Sequence, residues 1–194
     1  MNRWGFTDAG IPIAERANPV QGRGVCVSAD IAADADRVWA LASDITTPSR
    51  HCKEAAGAEW TGEGPPGVGS TFQGSNATDD AGHPAINDVL VRLVGGMEWQ
   101  TPCTVTVWEP GRRFEYGVGE PGNPWASWGF RIEPLLGGGV RLEHYLVHGA
   151  AMSGTALAAT EHPDEAEEVI TGRFLVVRDN LTQVVEGIKR EAED

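Results

Sequence analysis

Two histidines, His144 and His148, stand four apart in the run Val140–His148, at the same parity as Val140, Leu142 and Leu146. Tyr116 sits between Phe114 and Val118 in the same way, and Asn76 follows Phe72 and Gly74. Imidazole titrates near neutral pH and a phenol donates a hydrogen bond. His144 and Tyr116 are therefore the candidate general base and acid for an aldol closure or a dehydration. On an extended chain four residues span roughly 13 Å, so the two histidines share a face yet cannot chelate one ion together. No metal site and no cofactor are expected. Gly62-x-Gly64-x-x-Gly67 and Gly117-x-Gly119-x-x-Gly122 match a dinucleotide spacing. Neither opens a helix after a strand, and each contains proline, so both read as turns. The chain has no GxSxG elbow, no phosphate-loop lysine and no HExxH.

These side chains need strands to position them. Gly24–Ile31 alternates as a half-buried strand. Asp34 or Asp36 then caps a short amphipathic helix carrying Val38, Trp39, Leu41, Ala42 and Ile45. A second short helix is expected from Thr47 or Pro48 to about Ala55. Six further strands follow at Ala58–Thr61, Ser70–Asn76, Trp99–Glu109, Arg113–Gly119, Ala126–Glu133 and Val140–His148. Gly and Pro clusters separate them, which predicts an antiparallel meander. From about Asp164 to Ala192, Ile170, Phe174, Val177, Leu181, Val184 and Ile188 recur at steps of four and three, the stripe of one long helix. Glu165, Glu167 and Glu168 favour its start, Lys189 and Arg190 its end. Burying the six stripe residues contributes on the order of 10 kcal/mol as an upper bound, and only a curved sheet is broad enough to cover them.

The segment Asp34-Ala35-Asp36-Arg37-Val38-Trp39-Ala40-Leu41-Ala42-Ser43-Asp44-Ile45 resembles a signature of the SRPBCC superfamily (START, RHO-alpha-C, polyketide cyclase, CoxG; START/Bet v 1-like). Gly67–Phe72, Val105–Phe114 and Gly138–Leu142 are similar to its later signatures, and the likeness spans about residues 24–190. It implies an α+β helix-grip fold: a seven-stranded curved antiparallel sheet wrapped around a long C-terminal helix, with two short helices after the first strand. It implies no catalytic set, because the superfamily hosts cyclases, lipid carriers, receptors and chaperone cofactors. Residues 1–19 are extra and read as an extended arm before one domain at 20–194. An insertion at about 78–96 is also extra. Within it Ile86, Val89, Leu90, Leu93 and Val94 fit an amphipathic helix, although Val89-Leu90-Val91 equally suits a strand. Its expected role is a lid, the alternative being a packing or homodimer contact.

In a helix-grip domain the concave sheet face and the long helix enclose a cavity. Alternation turns His144, His148, Trp128, Phe130, Phe114, Tyr116, Phe72 and Asn76 inward. On the strand Trp99–Glu109 a bulge decides between Trp99, Thr101, Cys103 and Val105 on one hand and Thr104, Thr106 and Trp108 on the other. Phe174 on the stripe, Arg173 beside it and His51 near the expected entrance complete the candidate ligand-binding set. An apolar, aromatic wall with few polar points suits a hydrophobic or aromatic small molecule. The two functional expectations are an enzyme of the polyketide cyclase/dehydratase type and a non-catalytic carrier or receptor.

Composition narrows the partners. The 194 residues carry 15 Lys plus Arg against 28 Asp plus Glu, a net charge of −13. That excludes nucleic acid as the expected partner and disfavours anionic membranes. Seven Trp within a 41 % hydrophobic chain exclude a disordered polymer. Three widely spaced cysteines make neither a disulfide framework nor a zinc pattern. No apolar run reaches signal-peptide or membrane-span length, so a soluble cytoplasmic protein is expected.

Overall fold

A computed structural model of the protein describes residues 6–7, 18–77 and 98–194. The strands are β1 (Phe6–Thr7), β2 (Gly24–Ile31), β3 (Ala55–Trp60), β4 (Thr71–Ala77), β5 (Glu98–Glu109), β6 (Arg113–Glu120), β7 (Asn123–Pro134) and β8 (Val140–His148). The helices are α1 (Ala35–Ala42), α2 (Thr47–His51), α3 (Gly154–Glu161) and α4 (Ala166–Glu193). The described strands form one antiparallel sheet in the order β1-β2-β8-β7-β6-β5-β4-β3. The seven predicted strands are all present. The two-residue β1, from the N-terminal arm, adds an edge by pairing Phe6 with Val25. Apart from Asn18 and Pro19, the rest of the arm lies outside the described residues, as does the whole 86–95 segment with its expected lid or contact role.

Local chemistry explains the boundaries. Asp34 caps α1, its Oδ1 accepting from the Arg37 N–H at 2.7 Å. α2 stops at His51 instead of running to Ala55, because β3 starts at Ala55 by pairing with Asn76 and the chain is already extended at Cys52. β7 starts at Asn123, three residues before the expected Ala126. Pro124, read as a separator, is inside it opposite Gly119, at a register shift where a missing N–H is tolerated. The two-residue turn Pro121-Gly122 joins β6 to β7, with Gly122 at a φ of 80°.

α4 begins at Ala166, after a 3₁₀ turn at Pro163–Glu165, with Glu167 and Glu168 in its first turn. It lies across the concave face against β2 and β8. All six predicted stripe residues are at most 2 % exposed. Its N-terminal half packs Ile170, Phe174, Val177 and Leu181 against Val20, Val25 and Leu146. Its C-terminal half packs Val184, Val185 and Ile188 with α1, Cys52 and the sheet. At Gly187 the missing side chain admits the His51 ring from α2, and a Cβ there would run into that ring. α3 is an element the sequence reading lacked. Ser153 caps it, its Oγ accepting from the Ala156 N–H at 3.2 Å. Among the described residues no helix is long and apolar enough to cross a membrane.

Candidate functional site

Between α4 and the sheet lies a cavity of about 650 Å³. Inward-facing strand positions make most of its wall: Phe72, Gly74 and Asn76 from β4, Tyr116 and Val118 from β6, Trp128 from β7, and His144, Leu146 and His148 from β8. On β5 a bulge between Val105 and Val107 settles the ambiguous face. Before it Trp99, Thr101 and Cys103 line the cavity and Val105 is buried. After it Trp108 turns inward, packing edge-on against Trp39 and Phe114. α3 and the residue before it close one side with Ser153, Thr155, Leu157 and Ala158.

The predicted set is thus largely gathered. Asn76, Phe72, Trp99, Tyr116, Trp128, His144, His148 and Arg173 line one cavity. Phe130, Phe114 and Phe174 stand behind its surface. Phe130 stacks on His144 with centroids 4.0 Å apart, Phe114 packs beside Tyr116, and Phe174 stacks on His148 at 5.5 Å. His51 lies apart from the lining residues. It packs on Gly187 of α4, with its Nε2 2.8 Å from a Glu191 carboxylate oxygen.

Burial sets the protonation of the polar points. It pushes His144 down to about 3, against a hydrogen bond to the Leu181 backbone that works the other way. It pushes His148 down to about 4, helped by the nearby positive charge of Arg173 and opposed by a hydrogen bond to the Trp125 backbone. Both rings are neutral at physiological pH. The Nδ1 atom of each is buried with no hydrogen-bond partner among the described residues. Burial, with Cys103 adding to it, raises Tyr116 far above the ordinary phenol range, so it stays a donor. Cys103 is pushed up to about 11 by burial, so its thiol stays protonated. Asn76 Nδ2 reaches Thr101 Oγ1 at 3.4 Å.

Among the lining residues that escaped the sequence reading, Glu54 and Asn180 form a polar cluster with Arg173. Glu54, in the α2–β3 connection, takes both guanidinium arms of Arg173, one of them at 2.8 Å. Asn180 Nδ2 donates to the same carboxylate at 2.8 Å. The side chains of Glu54 and Arg173 are 11 % and 16 % exposed, so the ion pair is a half-buried part of the wall. Arg173 and Asn180 are seven residues apart, two turns of α4, on either side of Val177. That spacing was the available signal, but Glu54 has no sequence pattern tying it to them. Among the described residues no three His, Cys, Asp or Glu side chains gather as a metal cluster.

The profile of a family described as polyketide cyclase / dehydrase and lipid transport matches residues 24–186. No curated protein matches in sequence. Among solved structures, the polyketide cyclase-like protein Cgl2372 of Corynebacterium glutamicum is 26 % identical, with a TM-score of 0.57 over 87 % of this chain and 90 % of its own. The Zhui aromatase/cyclase of Streptomyces sp. R1128 is 23 % identical, with a TM-score of 0.57 over 88 % and 93 %. The di-domain aromatase/cyclase StfQ of the steffimycin pathway is 14 % identical, with a TM-score of 0.58, and the match covers 88 % of this chain and 50 % of StfQ. The last two likenesses are of fold.

Proposed function

Since the chain belongs to the polyketide cyclase / dehydrase and lipid transport family, we propose that it binds a hydrophobic or aromatic small molecule in its cavity and promotes a cyclisation or dehydration there. The observation that carries this reading is a cavity of about 650 Å³ with a largely apolar, aromatic wall and a few polar points. Such a wall desolvates a drug-sized ligand, and its isolated polar atoms orient it. In this reading the Tyr116 hydroxyl donates to a substrate carbonyl oxygen, stabilising the negative charge that builds up as an enolate forms. His144, neutral and stacked on Phe130, accepts the proton that the substrate gives up. Native mass spectrometry of the purified protein, before and after adding an aromatic polyketide-like ligand, tests it. Wild type is expected to convert the ligand and His144→Ala to bind it unchanged. Conversion at the wild-type rate by His144→Ala removes that residue from the chemistry.

One observation favours the carrier as second reading. Neither lining histidine titrates near neutral pH, so neither is poised to trade protons there. A bound lipid or pigment that wild type returns unchanged favours the carrier.

A further inference from the structure

An ion pair in a largely apolar cavity wall calls for a physical reason. Removing two charges from water costs several kcal/mol each, and an apolar pair of similar volume serves stability as well or better. Glu54 and Arg173 are nonetheless partly withdrawn from water in the cavity wall, on separate elements, with Asn180 as a third member. The cluster carries no net charge. A ligand carboxylate would meet the Glu54 carboxylate, and a ligand ammonium would meet the Arg173 guanidinium. Glu54 accepts three hydrogen bonds from its two partners, which leaves about one of a carboxylate's four lone-pair positions. Asn180 donates one amide N–H to Glu54, and its amide also has a carbonyl oxygen and a second N–H. His148, another lining residue, is close enough to feel the Arg173 charge, and its buried Nδ1 has no hydrogen-bond partner among the described residues.

We propose that Glu54, Arg173 and Asn180 form a recognition site within this cavity that selects an uncharged oxygen function, a hydroxyl or ketone, and rejects carboxylates and amines of the same skeleton. The proposal rests on the ligand-binding reading above and deepens it. Asn180 and Glu54 supply the donor and the acceptor. Arg173 is the positioning residue, fixing the carboxylate and cancelling its charge.

Four probes of one ring system test it: naphthalene, 2-naphthol, 2-naphthoate and 2-naphthylmethylammonium, with dissociation constants from ligand-observed NMR at neutral pH. Wild type is expected to bind 2-naphthol about tenfold or more tighter than each of the other three. Asn180→Leu is expected to bring 2-naphthol to the level of naphthalene while naphthalene binding stays within about twofold. Tightest binding of naphthoate would make Arg173 an anion site. Tightest binding of the amine would make Glu54 a cation site. Equal binding of all four, or a naphthol advantage that survives Asn180→Leu, also overturns the proposal but leaves a ligand cavity. Failure of every probe to bind overturns both. The wild-type ranking decides by itself if the variant does not fold.

Discussion

His144 and His148 are held neutral by the fold, and that has a measurable consequence. Their folded values, about 3 and about 4, lie below the ordinary histidine value of 6.5. Below pH 6.5 the unfolded chain takes up protons that the folded chain refuses, so stability is full above 6.5 and falls as pH drops toward 4 and 3. The window from pH 6.5 to 5 isolates this effect, because carboxylates have barely begun to titrate there. Urea unfolding across it should show stability falling at a slope approaching about 1.4 kcal/mol per pH unit for each histidine. His144→Phe, which keeps a ring for Phe130 to stack on, should remove about half of that slope. An unchanged slope would mean that the ring is already hydrated in the native state. The Tyr116 hydroxyl separates binding from stability. No described residue hydrogen-bonds it, so Tyr116→Phe should change unfolding free energy by less than about 1 kcal/mol. It should still weaken an oxygen-bearing ligand several-fold in a calorimetric titration.

The elements explain how far such residues could be read in advance. Strand alternation has a period of two, so a single well-placed strand such as β8 assigns Val140, Leu142, His144, Leu146 and His148 to one face at once. β5 resisted because a bulge reverses that parity midway, and no residue type announces it. α3 resisted for a different reason: Gly154–Glu161 has no amphipathic period, because the residues it buries are small alanines, Ala156, Ala158 and Ala159, while its larger Leu157 is exposed. The Glu54–Arg173–Asn180 cluster joins a connection to a helix more than a hundred residues away, a pairing that periodicity cannot encode. The long helix was legible almost to its ends, yet one of its residues gained meaning only in three dimensions. Gly187 is where α2 meets α4. Gly187→Ala improves helix propensity by about 1 kcal/mol but pushes the new methyl into the His51 ring. Overpacking should prevail, with a net loss of roughly 1–3 kcal/mol in chemical denaturation. A stabilised Gly187→Ala protein would show that α2 yields without resistance.

At the scale of the whole molecule, charge and cavity act separately. The −13 belongs to the chain as a whole. In the cavity wall Glu54 and Arg173 cancel each other, both histidines are neutral, and the remaining lining acid, Glu161, is exposed. Self-repulsion of surface acids is screened by salt over about 8–10 Å at moderate ionic strength, so added salt should raise the melting temperature of the empty protein. Binding of an uncharged ligand should not share that dependence, since nothing in its site is gained or lost by screening. A ligand at a hundred times its dissociation constant adds about 2.7 kcal/mol to folding, or roughly 5–10 °C in melting temperature for a domain of this size. The expected outcome of thermal melts at 50 and 500 mM NaCl is a baseline that moves up with salt and a ligand-induced shift that stays constant. A ligand shift that shrinks at high salt would place the binding site on the acidic surface instead of in the cavity.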